Sequence, residues 1–233
     1  MNALVRSVAR SIGRVGVRVF SRTLPRAVTA GVLVGSGVTA DVPSTSQIIV
    51  DEEVIQAGIP TGSALLDKAI KDGYPYKIVD LRGKLEVHKT RIYQKRPLDA
   101  IDMHVDHHAA VTGIVPRSIA HFHVYEKGWA GPGYHACIDA EGTLFILNND
   151  DTWSFHAAGH NFHSLGTVYL GNYEVEEPTH EMMVARKWLA DAIKEAYGVT
   201  CFVLHRDLKA TLCPGSKLVP VLREITLDTC TVL

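Results

Sequence analysis

The chain has 233 residues and a formal net charge of −1; 46% hydrophobic against 21% charged residues is enough apolar material for a real core and excludes wholesale disorder. The charge is uneven: residues 1–40 carry six arginines and no acidic residue, +6, which leaves 18 basic against 25 acidic residues, −7, in residues 41–233. An acidic body argues against nucleic-acid binding, four scattered cysteines without a CxxC pair argue against a disulfide scaffold, and no apolar run reaches the roughly 18–20 residues that span a bilayer.

In chain order, the first segment reads apart from the rest. Arg6, Arg10, Arg14, Arg18, Arg22 and Arg26 recur every four residues. On a helix of 3.6 residues per turn that step overshoots by about 40°, so the arginines form a slowly spiralling stripe. Gly13 and Gly16 weaken such a helix and Pro25 ends it. Residues 27–40 then have the length of a signal-peptide apolar region and close on Val38-Thr39-Ala40, small at the positions a signal peptidase reads. The expectation is an export signal, with the mature chain beginning near Asp41. A cationic helix making transient contact with anionic membranes is the second reading; a transit peptide and a solvated tail are the others.

Residues 41–75 read as a linker and a short helix near Ser63–Asp72 that Gly73 ends, and residues 76–233 as one domain. Ile101–His107 alternates apolar and polar, which predicts a strand with Ile101, Met103, Val105 and His107 on one face. Ser118–Lys127 reads as a helix stopped by Gly128. Tyr134–Asp139 and Thr143–Leu147 read as a hairpin turning at Glu141-Gly142, and Leu165–Gly171 as a strand. Thr179 caps a helix to Tyr197 with Met182, Met183, Ala185, Leu189, Ile193 and Ala196 on its apolar face and Gly198 beyond its end. Val199–His205 reads as a further strand. Interleaved strands and helices predict an α/β fold with one central mixed sheet flanked by helices.

Nine of the twelve histidines lie between His104 and His163. His205 ends a strand, and Cys213 follows eight positions later across a loop. An imidazole and a thiolate facing one cavity suit zinc. His107 ends another strand and is the candidate third ligand. Two histidines and one cysteine leave the fourth tetrahedral position open, as catalytic sites do. A buried structural cysteine is the competing reading of Cys213.

The residues in this order resemble the zinc-dependent N-acetylmuramoyl-L-alanine amidases of type 2, a family that includes peptidoglycan recognition proteins and short phage amidases. The resemblance runs from about Tyr76 to about Leu218. His107-His108-Ala109-Ala110 looks like the segment that opens the family's site. Ser118–His123 with Gly128-Trp129 looks like the helix before the substrate loop, and Gly133-Tyr134-His135 with Gly142-Thr143 like its strand and hairpin turn. His156–Asn161 with Ser164-Leu165-Gly166, and His205-Arg206-Asp207 with Thr211–Gly215, match the last two stations. The chain departs from the pattern at Asp106, where an apolar residue is usual, and at Ala109, where Thr or Ser is. It departs again at Val168, where some relatives carry Glu, and at Thr211, where others carry Lys.

The resemblance implies zinc held by His107, His205 and Cys213, and hydrolysis of the amide between N-acetylmuramic acid and L-alanine. It also implies that Tyr134 orients the water or the oxyanion, that Thr211 adds a hydrogen bond there, and that His156 is a further polar partner. His108, His121, His123, His160 and His163 are read as structural or rim residues. The expected protein is a monomer acting on peptidoglycan, with no nucleic-acid partner. It is either exported to the periplasm, wall or medium, or, if phage-encoded, an endolysin held in the host cytoplasm until lysis. A non-catalytic peptidoglycan-binding protein of the same fold is the alternative.

Overall fold

A computed structural model of the chain describes residues 47–49 and 60–225; the expectations for residues 1–40 lie outside them. The strands are β1 (Gln47–Ile49), β2 (Lys77–Asp80), β3 (Gln94–Lys95), β4 (Met103–His108), β5 (Ala136–Ile138), β6 (Leu144–Ile146), β7 (Thr152–Trp153), β8 (Ser164–Tyr169) and β9 (Cys201–Leu204). The helices are α1 (Ala64–Asp72), α2 (Pro116–His121), α3 (His180–Tyr197), α4 (His205–Leu208) and α5 (Leu218–Ile225). Among the described residues, seven strands form one sheet in the order β1-β2-β6-β5-β8-β4-β9. Only β5 with β6 pairs antiparallel in it, so the expected mixed α/β sheet is what the chain builds. β3 and β7 make a separate antiparallel ribbon that the sequence pattern did not announce.

α3 forms where its caps and stripe require it. The Thr179 hydroxyl accepts from the Met182 amide at 3.2 Å, and Gly198 closes the helix in a left-handed conformation, φ 68°. Met182, Ala185, Leu189 and Ile193 face the sheet; Ala196, expected on that face, is exposed. The helix expected over 118–127 starts earlier, because Pro116 suits the first helical position. It passes into a π turn at Phe122–Glu126 before Gly128 ends it at φ 64°.

The main core lies between the sheet and α1, α3 and α5, and holds Leu65, Leu66, Ile78, Ile138, Leu144, Tyr169, Leu189 and Leu222. α1, in the segment expected as linker and short helix, packs against this core through Leu65, Leu66 and Ala69. All six residues of β4 are buried, so both of its faces are covered. Met103 and Val105 pack with Ala157 and Val203 on one face; Ile101 lies outside the strand, in the main core. The other face is covered by α3, whose buried Arg186 meets Asp106 there through Nη2 at 2.8 Å and Nε at 3.0 Å. A charged partner answers Asp106 on that face, while Thr167 Oγ1 meets His104 Nε2 at 3.0 Å and the Tyr173 amide donates to His108 Nδ1 at 3.2 Å.

Candidate metal centre

β4 lies between β8 and β9 and runs parallel to both. The β4–β9 register pairs Asp106 with Leu204, so the next residues, His107 and His205, leave adjacent strands at the same carboxyl edge. A tight loop after α4 then returns Cys213 to them, held by the Arg206 amide donating to the Cys213 carbonyl at 3.0 Å. One ligand atom from each of His107, His205 and Cys213 lies within 4.8 Å of the others, and His107 Nδ1 is 3.7 Å from Cys213 Sγ. The structure thus brings together the three residues the sequence singles out.

The donor set suits a borderline divalent ion. Burial holds His107 well below the ordinary imidazole range, helped by His156 and His205; burial and then Lys209 lower His205. Both rings are therefore neutral ligands at neutral pH. Burial pushes the Cys213 thiol up to about 12, against which the His108 amide donates to Sγ at 3.4 Å. A cation among the three would reverse that balance, since a coordinating thiol is deprotonated.

His156 lies against His107 and also faces the cleft beside the three donors. His107 Nε2 is 3.2 Å from His156 Nδ1, and His156 Nε2 is 3.4 Å from the Ser164 carbonyl. A cation taken by His107 Nδ1 would leave its Nε2–H to donate to His156 Nδ1, and His156 Nε2–H would then face the Ser164 carbonyl. Such a partner orients a ligand ring. Gly166 makes the space, because a Cβ there would lie 2.5 Å from His156 Nδ1.

Tyr134 places its ring 5.0 Å from that of His107. Burial, and after it the neighbouring Cys213, push its hydroxyl well above the ordinary phenol range, so it is an O–H donor at neutral pH. Thr211 Oγ1 accepts from the Cys213 amide at 3.3 Å, which shapes the cysteine loop and leaves the hydroxyl proton free to donate. Val168 is fully buried with Ile119, Cys137 and Leu147 and is the β8 register partner of His107, so this position is packing. Beside the centre opens a cleft of about 540 Å³ walled by Phe122, Trp129, Tyr134, Phe155, His156 and His205, with Lys127 and Lys209 on it and no carboxylate among its lining residues.

Sequence reasoning passed over Arg96. Its buried guanidinium donates to the carbonyls of Asp150, Asn161, Phe162 and Ser164, and so fixes the 156–163 loop that carries His156. The one signal was its position before Pro97.

Fold and site together define an α/β domain with a two-histidine, one-cysteine donor set at the carboxyl edge of its sheet. A family model for N-acetylmuramoyl-L-alanine amidase matches residues 94–216, more than half of the chain, and the chain belongs to that family. Peptidoglycan-recognition protein SC2 of Drosophila simulans is 30% identical over 105 residues, 44% of this chain and 57% of that protein. Peptidoglycan recognition protein 1 of Bos indicus is 27% identical over 112 residues, 46% and 59% of the two. The chain thus spans less than two thirds of the curated relatives it matches. The endolysin N-acetylmuramoyl-L-alanine amidase LysCS of Clostridium intestinale superposes with a TM-score of 0.53 at 25% identity, over 66% of this chain and 97% of that one. The Ph2119 endolysin of a Thermus scotoductus bacteriophage gives 0.56 at 25% identity, over 64% and 98%.

Proposed function

We propose that this protein hydrolyses the amide joining N-acetylmuramic acid to L-alanine in peptidoglycan, with zinc held by His107, His205 and Cys213. The observation that carries the reading is the convergence of these three donors beside Tyr134 at a cleft with aromatic walls and two lysines. When bound there, zinc supplies a Lewis acid that makes hydroxide available near neutral pH and polarises the scissile carbonyl. The chain's own groups do the rest. Trp129, Phe122 and Phe155 offer apolar faces to the sugar and lactyl group. Tyr134 donates its O–H to the carbonyl oxygen as charge develops on it. Lys127 and Lys209 offset the carboxylates of a peptide stem; Lys209 follows His205 by one helical turn, on the wall next to the ligands. His156 and the His108 amide hold His107 and Cys213 in place.

On this reading residues 1–40 direct export and the domain expected over residues 76–233 is the amidase unit. Cys201 is disulfide-bonded, which fits an oxidising compartment. As a bacteriolytic enzyme the protein meets its substrate at the wall; a phage-encoded version meets it on lysis. The deciding experiment is digestion of purified peptidoglycan by the zinc-loaded protein, with mass spectrometry of the products. Free stem peptides beginning with L-alanine are expected; binding without such products sinks the enzyme reading in favour of a recognition protein.

A further inference from the structure

A second group of imidazoles lies apart from the three-donor centre. His160 and His163 project from the loop between β7 and β8, and His160 Nδ1 is 3.2 Å from His163 Nε2. His163 Nδ1 is 2.6 Å from Asp102 Oδ1. The carboxylate only accepts, so the His163 proton sits on Nδ1 and the Nε2 lone pair faces His160. A carboxylate on the far nitrogen of an imidazole is the arrangement that orients metal-binding histidines and raises their basicity.

The spacing is that of two ligands on one ion: imidazole nitrogens about 2.0–2.1 Å from a metal, at an angle near 100°, lie about 3.2 Å apart. The loop beneath them is fixed before any ligand arrives. Arg96 Nη1 donates to the carbonyls of Asn161 and Phe162, each at 3.0 Å, and of Ser164 at 2.7 Å. The Ser164 hydroxyl donates to the His160 carbonyl at 2.7 Å, and the His163 amide to the same carbonyl at 3.2 Å. The Asp102 amide donates to the His163 carbonyl, which ties the carboxylate's backbone to the loop. The His163 and Asp102 side chains are 31% and 72% exposed, so water can complete a coordination shell.

We propose that His160 and His163, oriented by Asp102, form a second site for a borderline divalent transition ion such as Zn²⁺, Ni²⁺ or Cu²⁺. It shares no residue with the centre at Cys213 and binds more weakly, having two protein ligands and no thiolate. An ion there pins the outer edge of a loop whose inner edge presents His156 and Asn161 to the cleft.

The proposal does not rest on the amidase reading, and one titration separates them. Full-length apoprotein is titrated with Zn²⁺ near pH 7.5 and the bound ion counted by calorimetry. Two classes of site are expected, the tighter lost in Cys213→Ala and the weaker lost in both His160→Ala and His163→Ala. Asp102→Asn should weaken the second class about 10-fold or more while the first is unchanged. In the Cys213→Ala protein, Cu²⁺ should give an electron paramagnetic resonance spectrum with coupling to two imidazole nitrogens that is lost when His163→Ala is added. A single class of site in the wild type, or a weaker class that survives both histidine substitutions in folded protein, overturns the proposal.

Discussion

Asp106 and Arg186 form a fully buried two-point ion pair on the face of β4 opposite His107, and Tyr169 donates its hydroxyl to the same carboxylate at 2.9 Å. The pair spans 80 residues of sequence and locks α3 onto the strand that carries the candidate ligand His107. Removing one partner leaves an uncompensated charge in the core. Asp106→Ala is expected to cost about 3–5 kcal/mol in denaturant unfolding. Replacing Asp106 and Arg186 together by leucine should recover most of that loss; if the double variant is no more stable than the single one, the pair is not acting as a unit.

Tyr134→Phe keeps the ring and removes the donor. Zinc content and thermal stability should persist while kcat falls about 100-fold or more with KM little changed, since the lost bond belongs to the transition state. Near-wild-type turnover would reduce Tyr134 to packing.

Chelation of the tight metal should abolish peptidoglycan cleavage, and Zn²⁺ should restore it. Cys213→Ala should lose both the tight zinc and the activity. A Cys213→Ala protein that still cleaves would remove Cys213 from the ligand set.

Gly166→Ala tests the support behind His107. Its Cβ would lie 2.5 Å from His156 Nδ1, so the imidazole must move and His107 loses its partner. Zinc affinity should drop about 10–100-fold, read by competition with a coloured chelator. His156→Gln, whose amide oxygen can accept from His107, should lose less than His156→Ala.

The buried histidines set an acid limit on stability. Burial lowers His104 and His123 from 6.5 to about 4. Their folded pKa values lie below the unfolded one, so the unfolded chain takes up protons first. Their neutral burial is fully tolerated above pH 6.5, and stability falls as pH drops from 6.5 to about 4. At the fully buried His104 the loss is about 3 kcal/mol. Melting temperature should fall over this window in the apoprotein, and His104→Asn should flatten the profile relative to wild type.

Local signals were read well and distant partners were not. Thr179, the apolar stripe and Gly198 define α3 from neighbours within a turn, and the β5–β6 hairpin needs only its own turn. The motifs around His107, His205 and Cys213 carried the centre because spacing along the loops encodes it. The buried face of β4 was illegible, since Asp106 is answered by Arg186 from another element. Arg96 was missed for the same reason: its acceptors are main-chain carbonyls, which no residue type reveals. β1 and the β3–β7 ribbon depend on pairing partners about 30 and 58 residues away and have no local pattern of their own.

The level emergence of His107 and His205 from neighbouring parallel strands has a consequence for how such a protein can change. Their separation follows from the roughly 4.8 Å spacing between strands, a property of the sheet and not of any loop. Trp129, Phe155 and Lys127 come from segments outside those two strands. Reactivity and selectivity are thereby held by different parts of the chain. Segment grafting at 122–132 should retarget the cleft to another wall chemistry while the donor triangle, and the His156 that supports it, stay as they are.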